Sequence, residues 1–334
     1  GKGSGSSCSV KRNASSGERL MKPPSEKEDE VIMNTAERMK MLERPKLPAD
    51  VALDTDTYNE VDDQFALSYL LRLAPALNVR ALFAAPFYNS NSSGPADGME
   101  KSYGEICHIL RLAGREDLLP VAYRGSERYL PDEKTPVRSP AAERLAALGM
   151  EYSPERPLYV VAIGAITNVA SALLMNPEIR NRIVVVWLGG HALDWPDTRE
   201  FNMCQDIAAA RIVFGCGVPL VQLPCMGVVS GFAVSEADLQ KWLYGKNDLC
   251  TYLVRHTCDA MRREEGKPWS RIIWDVTAVA WLLGPGFVAD RLIPAPIPEY
   301  DCQYGFGPDR PPIKYAFWIN RDALFRDLVE KLTK

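Results

Sequence analysis

The chain has 334 residues, 39 basic against 43 acidic side chains and a formal net charge of -4. This length suits one large domain or two ordinary ones, and apolar and charged fractions of 46% and 25% exclude disorder or low complexity for most of it. Without a positive field neither nucleic acid nor anionic lipid is an expected partner, and no apolar run nears the roughly 20 residues a bilayer-spanning helix needs.

Residues 1–46 hold seventeen charged side chains and no aromatic one, so they are expected to form a disordered or loosely docked tail, with a short helix allowed around Ala36 to Leu42. Residues 47–334 read as one domain. Strand-length apolar runs alternate there with helix-period segments: Val51 to Leu53 then Gln64 to Leu73, Val79 to Ala85 then Gly98 to Ala113, Val121 to Tyr123 then Ala141 to Leu148. The series continues with Leu158 to Ile163, a helix near Asn168 to Leu174, Ile183 to Leu188, a helix from Asp206 to Phe214, and Val218 to Leu223. Residues 235–286 read as helices, and a strand from Lys314 to Ile319 with a helix from Arg321 to Leu332 closes the chain. Such alternation predicts an α/β fold with a single open, mostly parallel sheet and helices on both faces. Eight cysteines without Cys-x-x-Cys spacing read as reduced thiols, and with no visible signal-peptide pattern they point to the cytoplasm.

In a parallel sheet of this kind ligands bind beyond the carboxyl ends of the strands. There the sequence places five carboxylates within ten positions, Asp54, Asp56, Glu60, Asp62 and Asp63, between the first strand and the first helix. Acids this close repel one another, and a helix N-terminus offsets only about 0.3 to 1 kcal/mol for each, so a bound hard cation is expected. An EF-hand loop would need glycine where Asn59 stands and glutamate where Phe65 stands. A haloacid-dehalogenase-like phosphatase would have Thr or Val where Tyr58 stands.

The segment Asp54, Asp56, Asp62, Asp63 resembles the aspartate-rich D-x-D-x-x-x-D-D signature of the nucleoside hydrolase family, with two extra residues between the second and third aspartates. Three further segments resemble that family in order: Ala162-Ile163-Gly164-Ala165-Ile166-Thr167-Asn168, then Leu188-Gly189-Gly190 with Glu200-Phe201-Asn202, then Trp274-Asp275 opening a helix. The resemblance covers about residues 48 to 332 and implies a Rossmann-like nucleoside hydrolase fold and a homodimer or homotetramer. It further implies a calcium-dependent enzyme that cleaves the N-glycosidic bond of a small-molecule ribonucleoside.

By the same resemblance, Asp56, Asp63, Asp275 and the Ile163 carbonyl would hold Ca2+, and Asp56 would take the proton of the attacking water. Asp62, Asn202 and Glu200 would contact the ribose 2′-, 3′- and 5′-hydroxyls. Asn89 and Leu188 join the substrate-binding set, together with Trp274 and Asp275, and Asp54 would orient its neighbours. The inosine-uridine type carries His before the last metal-binding aspartate, whereas the purine-preferring type carries Trp and stacks the base. Trp274 therefore implies a purine preference, with Tyr123, Tyr129 and Trp195 as unranked candidates for the ring on the other side of the base. His191, after Gly189-Gly190, is the expected acid if one acts. The rival readings are a nucleoside-binding protein of this fold without turnover and, more remotely, the phosphatase.

Overall fold

The run Ile183–Leu188 (IVVVWL) is buried along its whole length and has no polar face to offer water, so it forms an inner strand covered on both sides. A computed structural model describes residues 33–334, and the compact unit considered below is Asn34–Lys334. In chain order its elements are α1 (Thr35–Met41), β1 (Ala49–Thr55), α2 (Asp62–Arg72), β2 (Leu77–Ala84), α3 (Pro95–Leu112), β3 (Ala122–Tyr123), α4 (Pro140–Leu148) and β4 (Leu158–Ala162). Next come α5 (Thr167–Met175), β5 (Ile183–Leu188), α6 (Phe201–Gln205), α7 (Ile207–Gly215), β6 (Leu220–Leu223), β7 (Ala233–Ser235), α8 (Glu236–Trp242), α9 (Asp248–Ala260) and β8 (Ser270–Ile272). The chain ends with α10 (Val276–Trp281), β9 (Val288–Pro294), β10 (Ile297–Pro298), β11 (Tyr304–Gly305), β12 (Pro312–Ile319) and α11 (Arg321–Leu332).

Eight strands form one sheet in the order β3-β2-β1-β4-β5-β6-β12-β9, parallel throughout except for the antiparallel edge pair β12 and β9. Successive strands run outward from β1 through β2 to β3 on one side and from β4 through β5 to β6 on the other. The chain therefore reverses its direction of travel between β1 and β4, where Leu53 lies opposite Leu82 and Val161. A crevice opens beyond the strand ends at such a switch point, and the acidic segment leaves β1 directly into it.

Helix α2 is buried from Asp62 to Leu71. It packs among α3, α9, α10 and α11, which explains why its apolar side chains, among them Phe65, Leu67, Tyr69 and Leu70, are not confined to one face. That packing holds Asp62 and Asp63, in its first turn, at a fixed height above the sheet.

Two regions depart from the sequence reading. Residues 235–286 are not helical throughout, because Ser270–Ile272 pairs antiparallel with Ala233–Ser235. Three-residue strands with half-buried side chains leave no periodic signal. The edge strand β9 went unread because Asp290 and Arg291 break its apolar alternation, and Asp290 serves instead as an ion-pair centre for Arg44 and Lys314.

Helix α1 coincides with the stretch where a short helix was allowed. A reciprocal capping box between Asn34 and Glu37 starts it. Arg44 then docks the following segment by donating to the carbonyls of Trp281 and Val288 while stacking 4.6 Å over the Trp281 ring. The tail expected for residues 1–32 lies outside the described residues.

Candidate functional site

Strand β1 ends in a row of buried polar side chains, Asp54, Thr55, Asp56 and Thr57. Asp54 accepts from Asn168 Nδ2 at 2.8 Å, and Asn168 in turn accepts from the backbone N–H and the hydroxyl of Ser126. Asp54 thereby links the β1 end to α5. Its second oxygen, and both oxygens of Asp56, are buried without a hydrogen-bond partner. A buried carboxylate lacking any donor is costly, by several kcal/mol, unless a cation faces it.

Asp62, Asp63 and Asp275 bring one oxygen each to within 4.8 Å of one another, and all three are buried. Thr55 Oγ1 donates to Asp63 at 2.6 Å and sets its rotamer. Asp275 sits at the start of α10 without using its side chain as a cap, which leaves its carboxylate free for the cluster. Burial raises every acid here: Asp54 to about 7, Asp62 to about 8 with the charges of Asp63 and Glu60 adding to burial, and Asp63, Asp56 and Asp275 upward for the same reasons. Orphaned oxygens together with acids that resist ionisation are the marks of a site shaped for a hard divalent cation, and the donor set is all oxygen. The expected ligands Asp63 and Asp275 belong to this cluster. Asp62, expected only at the sugar, joins it, and Asp56, outside this set of three, stands close enough for the charges of Asp63 and Asp62 to act on it.

Gly164 follows Ile163 at the end of β4, and a Cβ on it would fall 3.0 Å from Asp56 Cγ, so a side chain there would push the carboxylate away. The indole of Trp187 donates to the Gly164 carbonyl at 3.0 Å and fixes this turn.

Over the cluster opens a cavity. Asp62, Asp63, Ile163, Leu188, His191, Glu200, Asn202, Trp274 and Asp275 line it, so nine residues picked from four distant segments converge on one cavity. On the side away from the acids, Glu200 caps α6, accepting from Asn202 and Met203 and also from Gly190 across the turn. Burial pushes Glu200 up to about 7 despite those three donors. Asn202 Nδ2 donates to the Leu188 carbonyl at 2.8 Å, which turns its oxygen toward the cavity.

Some expectations are corrected. His191 lines the cavity, but its Nδ1 accepts from the Met226 N–H at 3.1 Å and its Nε2 faces the Arg199 carbonyl at 3.2 Å. The carbonyl can only accept, so Nε2 carries the proton, and burial lowers the pKa further; a neutral ring with both nitrogens engaged is a poor acid. Asn89 does not line the cavity; it stands behind Asn59, to which its Nδ2 donates. Asn59, in the loop made longer by two residues, lines the wall instead. Of the expected stacking aromatics, Tyr123 packs on Phe83 and Tyr129 donates to Gln205 at 2.6 Å, while Trp195 remains 40% exposed near His191.

Cys225 and Met226, just past β6, and Arg199 at the rim also line the cavity. The strand-end rule applied to β6 points to the first two, and Arg199 carries no sequence signal.

No helix among the described residues is long and apolar enough to cross a membrane. The profile of the family described as inosine-uridine preferring nucleoside hydrolase matches residues 51–305. A pyrimidine-specific ribonucleoside hydrolase RihA of Salmonella enteritidis is 30% identical over 250 residues, 67% of this chain and 76% of the relative. Two solved structures share the fold: a plant nucleoside hydrolase, PpNRh1 (TM-score 0.68, 22% identity, 86% of this chain and 99% of that one), and a purine-preferring ribonucleoside hydrolase from Gardnerella vaginalis (TM-score 0.66, 19% identity, 85% and 98%).

Proposed function

The chain belongs to the inosine-uridine preferring nucleoside hydrolase family and is a hydrolase of N-glycosidic bonds; from that premise we propose that it is a calcium-dependent ribonucleoside N-ribohydrolase that favours purine nucleosides. The observation that carries the reading is the buried cluster of Asp62, Asp63 and Asp275, backed by the unpartnered oxygens of Asp56, at the floor of a cavity whose opposite wall is polar.

These carboxylates, with the Ile163 carbonyl, would hold the cation. When bound, it supplies what carboxylates alone lack, acidifying water and gripping a vicinal diol. Calcium suits an irregular all-oxygen set better than magnesium, which demands near-ideal octahedral geometry. Asp56 takes the proton of the attacking water. Asp62 accepts from the 2′-hydroxyl, Asn202 meets the 3′-hydroxyl and Glu200 the 5′-hydroxyl. A wall built to pair ribose hydroxyls leaves buried polar groups unmatched by a deoxyribose, so 2′-deoxynucleosides react slower by roughly 10⁴.

Trp274 at the wall supports the purine preference, because a bicyclic base offers more ring area for stacking than a pyrimidine. The pyrimidine-specific name of the Salmonella relative points the other way and makes the base an experimental question. Comparing kcat/KM for inosine, guanosine and uridine with calcium present settles it. Inosine or guanosine ahead of uridine is expected, and uridine first would overturn the purine assignment. The protein is also read as a cytoplasmic homodimer or homotetramer. Phe317 and Trp318, both about half exposed near the end of β12, support self-association.

A further inference from the structure

Among the polar residues of the cavity wall, Asn59 has its orientation set from outside the site. The Asn91 N–H, which can only donate, gives a 2.8 Å hydrogen bond to Asn89 Oδ1. Asn89 therefore turns its Nδ2 to Asn59, and the atom it meets there must be the Asn59 oxygen. The Asn59 backbone is held as well, its N–H by the Asp56 carbonyl at 2.7 Å and its carbonyl by Asn91 Nδ2 at 2.8 Å. With its oxygen engaged by Asn89, Asn59 has its Nδ2 left for the cavity it lines, and no acceptor is assigned to that nitrogen among the described residues.

The neighbours of Asn59 indicate which part of the substrate it meets. Glu60 pairs with Arg271 at 2.5 Å, tying this loop to the strand that runs into Trp274. The hydroxyl-directed groups Glu200 and Asn202 belong instead to α6. Asn59 and the aromatic ring read above as the base platform both line the cavity, and the Glu60–Arg271 pair ties their loops together, in a site whose histidine is pinned neutral.

We propose that Asn59 Nδ2 donates a hydrogen bond to an acceptor on the departing base, with Asn89 as the positioning residue that fixes its polarity; the inference rests on the ribonucleoside reading. As water bonds to C1′, the C1′–N bond breaks and its electron pair leaves with the base. The water's proton passes to Asp56, and a proton from solvent completes the neutral base. Asn59 stabilises the negative charge on the base before that proton arrives, as a preorganised donor does in an oxyanion hole.

The test compares inosine with 4-nitrophenyl β-D-riboside, whose phenolate departs without needing such help, using the native chain, Asn59→Ala and Asn89→Asp at saturating calcium. Asn89→Asp replaces no residue of the cavity wall, keeps the acceptor for Asn91, and forces the Asn59 amide to present its oxygen instead. Both variants are expected to lose about 100-fold in kcat/KM on inosine and at most about 5-fold on the aryl riboside, with calcium-dependent melting retained. Equal losses on the two substrates would make Asn59 a sugar contact and overturn the proposal, as would an undiminished rate on inosine. A native chain that cleaves neither substrate refutes the ribonucleoside reading itself, and this inference with it.

Discussion

Replacing Asp275 by asparagine separates what the acidic cluster does for catalysis from what it costs the fold. Three carboxylates with oxygens within 4.8 Å of one another repel by about 3.5 kcal/mol for each ionised pair at an effective dielectric of about 20. Asp275 takes part in two of those pairs, and retained protons relieve much of the strain, so removing its charge is expected to stabilise the cation-free protein by about 2 kcal/mol. Asparagine has the same shape, its amide can donate to Asp62 or Asp63, and no capping hydrogen bond is lost because Asp275 makes none. In chelator the variant should therefore melt about 4 °C above the native chain, at roughly 2 °C per kcal/mol for a domain this size. On adding calcium to 100 times its dissociation constant, the native chain gains about 2.7 kcal/mol, near 5 °C, while the variant gains little and hydrolyses no nucleoside. Differential scanning calorimetry with and without calcium reads both effects. An Asp275→Asn protein that melts below the native chain in chelator, or keeps the calcium gain, refutes the reasoning.

Glu200 gives the pH test. Its folded pKa, raised by burial to about 7, lies above the ordinary 4.5, so the folded chain holds a proton that the unfolded chain has released. Its contribution to stability is complete below 4.5 and disappears as pH rises through about 7, a loss of about 3 kcal/mol; Glu200→Gln should flatten that part of the profile in urea unfolding between pH of about 5 and 8, and an unchanged slope contradicts it. Arg44→Ala removes the donors to Trp281, Val288 and Asp290 and should cost about 2 to 3 kcal/mol in the same assay, with kcat untouched; a cost under about 0.5 kcal/mol means the segment around Arg44 is not docked. Trp318→Arg should shift the sedimentation coefficient to that of a monomer, and an unchanged oligomer rules the exposed end of β12 out of the interface.

Much of the sheet was legible because strands such as Leu158–Ala162 and Ile183–Leu188 are buried on both faces and read as unbroken apolar runs between amphipathic helices. The acidic floor was legible for the opposite reason: clustered acids at a strand end have no cheap structural explanation. Pairings that depend on exposed or very short strands, β7 with β8 and β10 with β11, left no pattern to read. Position within the cavity was harder still. The sequence pointed to Asn89 as a substrate contact, whereas Asn59 lines the wall and Asn89 holds it from behind, a relation no local motif reveals. His191 stood at the right strand end, yet the backbone groups that hold both of its nitrogens come from Met226 and Arg199, which no local motif reveals.

The most direct measurement is ribose release from inosine by the purified chain, followed as reducing sugar, first in chelator and then after calcium is restored. Negligible release in chelator and full release on restoring calcium is the predicted result. Hydrolysis indifferent to the chelator, or no sugar from inosine, guanosine or uridine at any calcium concentration, contradicts the account.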